Sequence, residues 1–337
     1  MNILVTGGAG YIGSHTLIEL INSGHSPAVV DNLSNSSEES IRRVEKIVGQ
    51  QIPFHNVTVQ DEPAMRKVFE QYSFDAIVHF AGLKAVGESV AKPLEYYKNN
   101  LDSTLVLLEL AKEFEVKKFI FSSSATVYGT PEELPLTEKS RVGIGITNPY
   151  GRTKYMLEEI LKDVAVSDPS FEITLLRYFN PVGAHESGTI GEDPSDIPNN
   201  LLPYVAQVAV GKLEHVNVFG NDYDTIDGTG VRDYIHVVDL AKGHVAALQN
   251  SKSGVSIYNL ATGKGTSVLE LISAFSKSAG KEIPYKIAPR RPGDVASCYA
   301  NAALAEQELG WKAKLTIQDG CDSTWKWQSQ NPDGYNQ

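Results

Sequence analysis

The chain has 337 residues, of which 42% are hydrophobic and 21% charged, a composition that fits one large folded domain with a smaller one. The formal net charge of -11, without any run of Lys and Arg, argues against nucleic acid as a partner. Two cysteines exclude a disulfide framework and a cysteine metal cluster, and we expect a cytoplasmic protein without bound metal, signal peptide or membrane contact.

Short apolar segments alternate with amphipathic ones through the first half of the chain. Strands are predicted at Ile3–Val5, Ala28–Asp31, Phe54–Val59, Ala76–Phe80, Phe119–Phe121 and Leu175–Tyr178. Helical patterns lie between most of them, including Tyr11–Ser23, Glu62–Tyr72 and Leu94–Phe114. Because strands alternate with helices, we predict a parallel sheet that is covered on both faces.

The pattern changes after about Asn180, where Gly, Pro and Asn become frequent. Helices are still predicted at Leu201–Val210 and after Ser267, which has the spacing of a capping box with Glu270. We therefore place one domain at 1–180 and a smaller C-terminal α/β substrate domain at 181–337, with some segments interleaved. The second domain should pack against the carboxyl ends of the strands, where open α/β sheets bind ligands.

Glycines are concentrated between the first predicted strand and the first predicted helix. They fit G-x-G-x-x-G as Gly8, Gly10 and Gly13, and they fit G-x-x-G-x-x-G as Gly7, Gly10 and Gly13. Glycines let the backbone turn tightly and approach a pyrophosphate, which then lies on the positive end of the helix. The position of the motif predicts a Rossmann-type, doubly wound dinucleotide domain. The alternative is a tight turn without a ligand.

Asp31 ends the second predicted strand. A carboxylate at this position can accept hydrogen bonds from a ribose 2′-hydroxyl and would repel a 2′-phosphate. Asp31 therefore favours NAD over NADP, although a solvated aspartate at a strand end is the alternative.

Tyr150 and Lys154 are four residues apart, so a helix would place both on one face. An ammonium group about 4 Å away, at an effective dielectric constant near 20, would stabilise the phenolate by about 4 kcal/mol. Lys154 could therefore lower the pKa of Tyr150 from about 10 by up to about 3 units, before desolvation opposes the shift, and make Tyr150 a general base near neutral pH. A positively charged nicotinamide would act in the same direction. By itself, this spacing is common in helices.

Three serines, Ser122, Ser123 and Ser124, follow the predicted strand Phe119–Phe121. Chemistry in this architecture occurs at the carboxyl ends of the strands, so one of these hydroxyls could bind a reacting substrate oxygen. They could equally be ordinary serines of a turn.

Four longer motifs carry a resemblance to a known family. They are HFAGLKAVGES at 79–89, FSSSATVYG at 121–129, LRYFNPVGA at 176–184 and GVRDYIH at 230–236. Through them the chain resembles, over essentially its whole length, the extended short-chain dehydrogenases/reductases, and within that group the UDP-glucose 4-epimerases. The resemblance implies bound NAD, a UDP-sugar substrate and a homodimer formed by helices at Leu94–Phe114 and Asn148–Ala165.

The resemblance also implies roles for individual residues. Tyr150 is similar to the family's base, Lys154 to its partner and Ser124 to the serine that binds the reacting hydroxyl. The implied NAD-binding positions are Gly7, Gly10, Tyr11, Ile12, Gly13, Asp31, Asn32, Asn35, Ser36, Thr58, Val59, Phe80, Ala81, Gly82, Lys84, Asn99, Ser122, Tyr150, Lys154 and Phe179. The implied substrate positions are Lys84, Ser124, Tyr150, Tyr178, Asn180, Asn200, Leu201, Asn217, Phe219, Arg232, Tyr234, Arg291, Asp294 and Cys298.

The chemistry of the substrate positions agrees with these roles. Arginines such as Arg232 and Arg291 suit a diphosphate, and an aromatic ring such as Phe219 suits packing near uracil. Phe219 could instead be a core residue, and either arginine could form a surface ion pair. The implied reaction begins when Tyr150 takes the proton of the 4′-hydroxyl, while the C4′ hydride passes to NAD and returns to the opposite face of the sugar.

Two positions depart from the family pattern. Where relatives commonly carry Gly-Asp, this chain has Val57 and Thr58, so the adenine contact would fall to backbone groups of Thr58 and Val59. At Cys298, relatives restricted to UDP-glucose and UDP-galactose carry Tyr, and relatives that accept N-acetylated sugars carry a smaller residue. Because a cysteine leaves room for a 2-acetamido group, we expect UDP-GlcNAc and UDP-GalNAc as further substrates. Cys298 could also be a small residue without a role.

Two other functions fit the same fold. A sugar-nucleotide 4,6-dehydratase would need an Asp-Glu pair where this chain has Ser124, Ala125 and Thr126. A non-catalytic NAD-sensing protein would not need Ser124, Tyr150 and Lys154 together.

Overall fold

Apolar segments of the first half form strands that are buried on both faces. The structure is a computed structural model that describes residues 1–194, 198, 200–291 and 293–336. The strands are β1 (Asn2–Thr6), β2 (Ser26–Asp31), β3 (Phe54–Asn56), β4 (Ala76–His79), β5 (Lys118–Ser124), β6 (Glu172–Tyr178), β7 (Asn180–Val182), β8 (Val216–Phe219), β9 (Val231–His236), β10 (Gly254–Leu260), β11 (Gly265–Ser267), β12 (Tyr285–Ala288) and β13 (Ser297–Cys298). Seven of them form a parallel sheet in the order β10-β6-β5-β4-β1-β2-β3.

Helices cover both faces of this sheet. The helices are α1 (Tyr11–Asn22), α2 (Glu38–Val48), α3 (Glu62–Gln71), α4 (Val86–Ala91), α5 (Pro93–Glu113), α6 (Pro149–Ser167), α7 (Leu201–Ala209), α8 (Val237–Gln249), α9 (Val268–Ala279), α10 (Ala303–Leu309) and α11 (Ile317–Gln330). Ile3 and Val5 pack with residues of α1, α2 and α8, whereas Leu4 packs with residues of α3, α5 and α6. Alternate side chains of one strand thus enter two cores, which gives the predicted Rossmann-like, doubly wound α/β fold.

The second half of the chain builds two smaller sheets. Strand β9 pairs with β7, β11 and β13, and β8 pairs with β12 in parallel. A third core joins these strands to α7, α9 and α11. The last strand of the large sheet, β10, and helix α8 on its face also come from this half, so the boundary between residues 180 and 181 stays a proposal.

Several predicted elements are confirmed with small shifts at their ends. The capping box of Ser267 and Glu270 is present at the start of α9. The predicted strand Phe54–Val59 is wrong in its second half, since β3 ends at Asn56. There the chain turns, because the Val57 amide donates to the carbonyls of Asp31 and His55. Across the described parts of the chain, none of the helices has the length and apolar character needed to cross a bilayer.

Candidate active site

Parallel strands bring residues that are distant in sequence to one edge of the sheet. The glycine-rich turn follows β1, Asp31 ends β2, Phe80 follows β4, and Ser124 ends β5. All of these strands run in the same direction, so their carboxyl ends lie side by side. The predicted cofactor and catalytic residues are therefore collected along this edge.

The glycine-rich turn is packed too closely for side chains. A Cβ atom on Gly13 would lie 2.3 Å from the Gly7 carbonyl oxygen, and one on Gly7 would lie 2.7 Å from the Ala81 nitrogen. Gly7 also has a φ of +71°, which favours glycine. Among the described residues, no side chain caps the start of α1, so its first backbone N–H groups can receive an anion. This cradle fits the pyrophosphate of NAD.

Asp31 organises the loops on both sides of the cradle. One carboxylate oxygen accepts from the Ala9 amide at 3.0 Å. The other accepts from the Leu33 amide at 2.9 Å and from the Ser36 hydroxyl at 2.8 Å. A carboxylate has about four acceptor sites, so Asp31 retains capacity for a ribose hydroxyl.

The remaining residues predicted to hold NAD lie around this cradle. The Tyr11 hydroxyl donates to the Gly183 carbonyl at 2.6 Å, which ties α1 to the segment after β7. Asn32 Nδ2 donates to Thr58 Oγ1 at 3.4 Å. Ile12, Asn35, Val59, Gly82 and Phe179 lie on the first turn of α1 or on segments that follow β2, β3, β4 and β6.

Asn100 holds the segment that follows β4, a role that sequence analysis missed. Its side chain accepts from the Leu83 amide at 2.8 Å and donates to the Leu83 carbonyl at 3.0 Å. It also donates to Thr153 Oγ1 on α6 at 3.1 Å. The neighbouring predicted residue, Asn99, instead accepts from Gln60 through its carbonyl. The sequence did offer a signal for this role: Asn100 is a polar residue on the buried face of α5, two turns before Leu107.

Glu192, which sequence analysis also missed, joins two predicted residues from different halves of the chain. Its carboxylate lies 3.6 Å from Lys84 Nζ and accepts from Asn200 Nδ2 at 2.9 Å. Glu192 lies outside any helix or strand, so local sequence offered no signal for it. This contact brings the loop after β4 next to the start of α7.

The catalytic candidates meet where α6 passes the end of β5. Lys154 Nζ donates to the Ser122 carbonyl at 2.7 Å and lies 4.7 Å from the centre of the Phe121 ring. The Ser124 hydroxyl accepts from the amide of Thr126 at 3.2 Å and from its hydroxyl at 3.0 Å. The hydroxyls of Ser122 and Tyr178 are also hydrogen bonded. Lys154 is therefore fixed against the strand that carries Ser124.

The expected effect of Lys154 on Tyr150 is wrong for the protein chain itself. Burial raises the pKa of Tyr150, and a hydrogen bond with Ser124 offsets only part of this. Burial also lowers the pKa of Lys154 to about 8. Both changes arise because a buried site disfavours the charged form of each group. The tyrosine therefore needs further positive charge nearby before it can ionise near neutral pH.

The predicted substrate residues lie on the smaller sheets and the segments beside them. Asp294 accepts from Arg232 at 2.9 Å and pairs with Arg291 at 3.1 Å. The Arg291 guanidinium lies 4.8 Å from the centre of the Phe219 ring. Phe219 is 36% exposed, so it is not a core residue, while both arginines do form ion pairs. Tyr234 pairs with Asn180 between β9 and β7, Asn217 lies on β8, and Leu201 begins α7.

Cys298 lies beside Arg232 and against an apolar cluster near the end of β5. In β13 it pairs with Arg232 of β9. Its half-buried side chain packs on an apolar cluster that contains Phe179 and Val127, the latter three residues after Ser124. Burial raises the pKa of the thiol to about 11, although Arg232 acts in the opposite direction. The thiol is therefore neutral near pH 7.

Comparisons with known proteins match the chain over nearly its whole length. The family profile described as GDP-mannose 4,6 dehydratase matches residues 4–324. The UDP-glucose 4-epimerase of Bacillus subtilis is 59% identical over 337 residues, which cover 99% of this chain and 99% of that protein. The human UDP-glucose 4-epimerase is 57% identical over 341 residues, covering 99% of this chain and 98% of that protein. A crystal structure of UDP-glucose 4-epimerase from Bifidobacterium longum in complex with NAD+ and UDP has a TM-score of 0.97 and 62% identity, covering 99% of this chain and 100% of that one.

Replacing Gly13 with Ala should empty the dinucleotide cradle. The new methyl group would lie 2.3 Å from the Gly7 carbonyl, so the turn must open. We expect purified Gly13→Ala protein to retain less than about a tenth of the NAD of the unmodified protein, since the pyrophosphate depends on close backbone approach. NAD released by denaturation measures this. Gly87→Ala is the control, because a Cβ atom there meets nothing within 4 Å. Equal NAD content in both variants would contradict the assignment.

Proposed function

Because the chain belongs to the UDP-glucose 4-epimerase family and is an NAD-dependent epimerase, we propose that Ser124, Tyr150 and Lys154 act at C4′ of its UDP-hexose. The observation that carries this proposal is the meeting of α6 with the end of β5. There Lys154 Nζ donates to the Ser122 carbonyl, and the Ser124 side chain lowers the pKa of Tyr150 against the effect of burial. This edge of the sheet also carries the glycine-rich cradle.

Tyr150 takes the proton of the 4′-hydroxyl and later gives it back, while Ser124 hydrogen bonds to the same oxygen. Bound NAD supplies hydride acceptance and return at C4′, so the cycle has no net redox change. Burial raises the pKa of Tyr150, so the base needs nearby positive charge. Lys154 and an oxidised nicotinamide ring are the two sources of that charge.

The nucleotide part of the substrate is held by the second half of the chain. Arg232 and Arg291 are the donors for the diphosphate, and the exposed Phe219 ring is the surface for uracil. Asp294 holds the two arginines together before they meet the diphosphate. A sugar bound through its UDP can then turn over in the pocket, so that either face of C4′ can react.

A 4,6-dehydratase is not favoured, although the matching family profile carries that description. Elimination of water would need an acid beside the hydroxyl-binding serine. The sequence there is Ser124, Ala125 and Thr126, without a carboxylate. A protein that only senses NAD is not favoured either, since the relatives at 57–59% identity are epimerases.

The position of Cys298 supports a wider choice of sugar. The side chain lies beside Arg232 and on the apolar cluster behind the catalytic segment, and a sugar bound between them would contact it. A cysteine leaves the space that a 2-acetamido group requires. We therefore include UDP-GlcNAc and UDP-GalNAc among the substrates, alongside UDP-glucose and UDP-galactose.

Replacement of Tyr150 with Phe removes the hydroxyl and leaves the ring. We expect kcat for conversion of UDP-galactose to UDP-glucose to fall about 1,000-fold, because proton transfer loses its acceptor. A coupled assay of UDP-glucose measures this. Tyr155→Phe removes a hydroxyl from the next turn of the same helix and should leave kcat unchanged. Turnover by Tyr150→Phe at the unmodified rate would disprove the proposed role.

Replacement of Cys298 with Tyr should close the space for the acetamido group. We expect loss of turnover of UDP-GalNAc with retention of UDP-galactose turnover, because only the former needs that space. Comparison of kcat/KM for both substrates tests this, with Cys298→Ser as a small-residue control that keeps both activities. Survival of UDP-GalNAc turnover in Cys298→Tyr would exclude the steric explanation.

A homodimer is the oligomeric state that we propose. Helices α5 and α6 pack side by side and leave apolar side chains exposed, such as Leu105 at 41% and Met156 at 39%. Light scattering should therefore give twice the mass of a single chain. Leu105→Glu with Met156→Glu should give single chains, since charged groups would be buried without partners. A monomeric unmodified protein would refute the dimer.

A further inference from the structure

A buried ion pair joins the catalytic helix α6 to strand β6. Glu158 on α6 is 0% exposed, and Arg177 on β6 is 1% exposed. Arg177 Nε donates to Glu158 Oε1 at 2.9 Å, and Arg177 Nη2 donates to Glu158 Oε2 at 2.6 Å. Neither residue binds substrate or cofactor in the proposed mechanism.

Stability does not account for this pair. Moving two charges out of water costs about as much as their attraction returns, and apolar residues of similar volume often stabilise a fold equally well. Removing one partner, by contrast, leaves an uncompensated buried charge and is strongly destabilising. A geometric role explains better why both charges are present.

Glu158 lies on the same face of α6 as Tyr150 and Lys154, because the three residues follow one another at intervals of four. The Ser123 hydroxyl donates to Glu158 Oε1 at 2.6 Å. One turn earlier on the helix, Lys154 donates to the Ser122 carbonyl at 2.7 Å. Helix α6 is thus bound to two consecutive residues of β5, directly before Ser124.

Arg177 extends the same contacts to the neighbouring elements. It is the partner of Ser123 in the pairing of β6 with β5. Its Nη1 donates to the Tyr128 hydroxyl at 3.2 Å, and that hydroxyl donates to Asn259 on β10 at 2.7 Å. The ion pair therefore connects α6 with three adjacent strands and with the turn that follows Ser124.

We propose that Glu158 and Arg177 are positioning residues that fix α6 along β5, so that Tyr150 and Ser124 reach the same substrate oxygen. The inference rests on the proposed roles of Tyr150 and Ser124. A displacement of about 1 Å between reacting groups can lower a rate about 100-fold. Without Glu158, the described hydrogen bonds from α6 to β5 are reduced to the one from Lys154 to the Ser122 carbonyl, so the position of the helix along the strand is less fixed.

The test replaces both charges together. Glu158→Met with Arg177→Met keeps the volume and leaves no unpaired charge, so the apparent Tm should not fall. We expect kcat for UDP-galactose to fall about 100-fold. KM should stay within about twofold, because the residues assigned to UDP lie on other elements. Because a loss of folded enzyme also lowers the apparent kcat at unchanged KM, kcat is calculated per mole of bound NAD, which counts only folded protein.

A control removes an ion pair that lies at the amino-terminal ends of β5 and β6, away from the site. There Lys118 Nζ of β5 lies 2.5 Å from Glu172 Oε2 of β6. Lys118→Met with Glu172→Met should leave kcat unchanged.

Three outcomes would decide against the inference. A folded Glu158→Met, Arg177→Met protein with the kcat of the unmodified enzyme would show that the pair is structural only. If that variant does not fold, Ser123→Ala decides, because it removes only the hydroxyl through which Glu158 holds β5. It should lower kcat about tenfold at unchanged KM, and an unchanged kcat would refute the positioning role. Absence of turnover by the unmodified protein would overturn the proposed function, and the inference with it.

Discussion

The raised pKa of the half-buried Tyr150 is the constraint on which the rest of the site depends. The protein groups around its hydroxyl disfavour the phenolate, and this desolvation opposes ionisation. Burial also disfavours the charged form of Lys154 and lowers its pKa to about 8. The proposed mechanism therefore needs positive charge close to Tyr150. Lys154 is held by a backbone carbonyl, and among the described residues no carboxylate forms an ion pair with it.

The cradle for the cofactor depends on a second constraint, the absence of side chains. Gly7 and Gly13 approach neighbouring backbone more closely than a Cβ atom permits. The tight turn places the positive end of α1 where a pyrophosphate can lie, and Asp31 holds the two loops beside it. The proposed cofactor cradle and the proposed base therefore lie along the same edge of the sheet.

The two halves of the chain contribute different chemistry to the same site. The first half supplies the cradle and the catalytic helix, and the second supplies Arg232, Arg291 and Phe219. Glu192 forms a contact between them through Lys84 and Asn200. In the proposed mechanism, hydride and proton transfer at C4′ take place beside one half, while the other half holds the nucleotide. That division would let the sugar reorient while the UDP remains bound.

The sequence alone determined the features that depend on neighbours along the chain. These include the alternation of strands and helices, the glycine-rich turn after β1, the capping box of Ser267, and the shared helix face of Tyr150 and Lys154. Only the tertiary structure decided which distant residues meet. The Asn100 side chain accepts from the Leu83 amide, and Glu192 and Glu158 form ion pairs with Lys84 and Arg177, because the fold brings their elements together. The tertiary structure also decided the direction in which the pKa of Tyr150 shifts. Spacing along a helix shows that two groups are close, but it does not show how much water surrounds them.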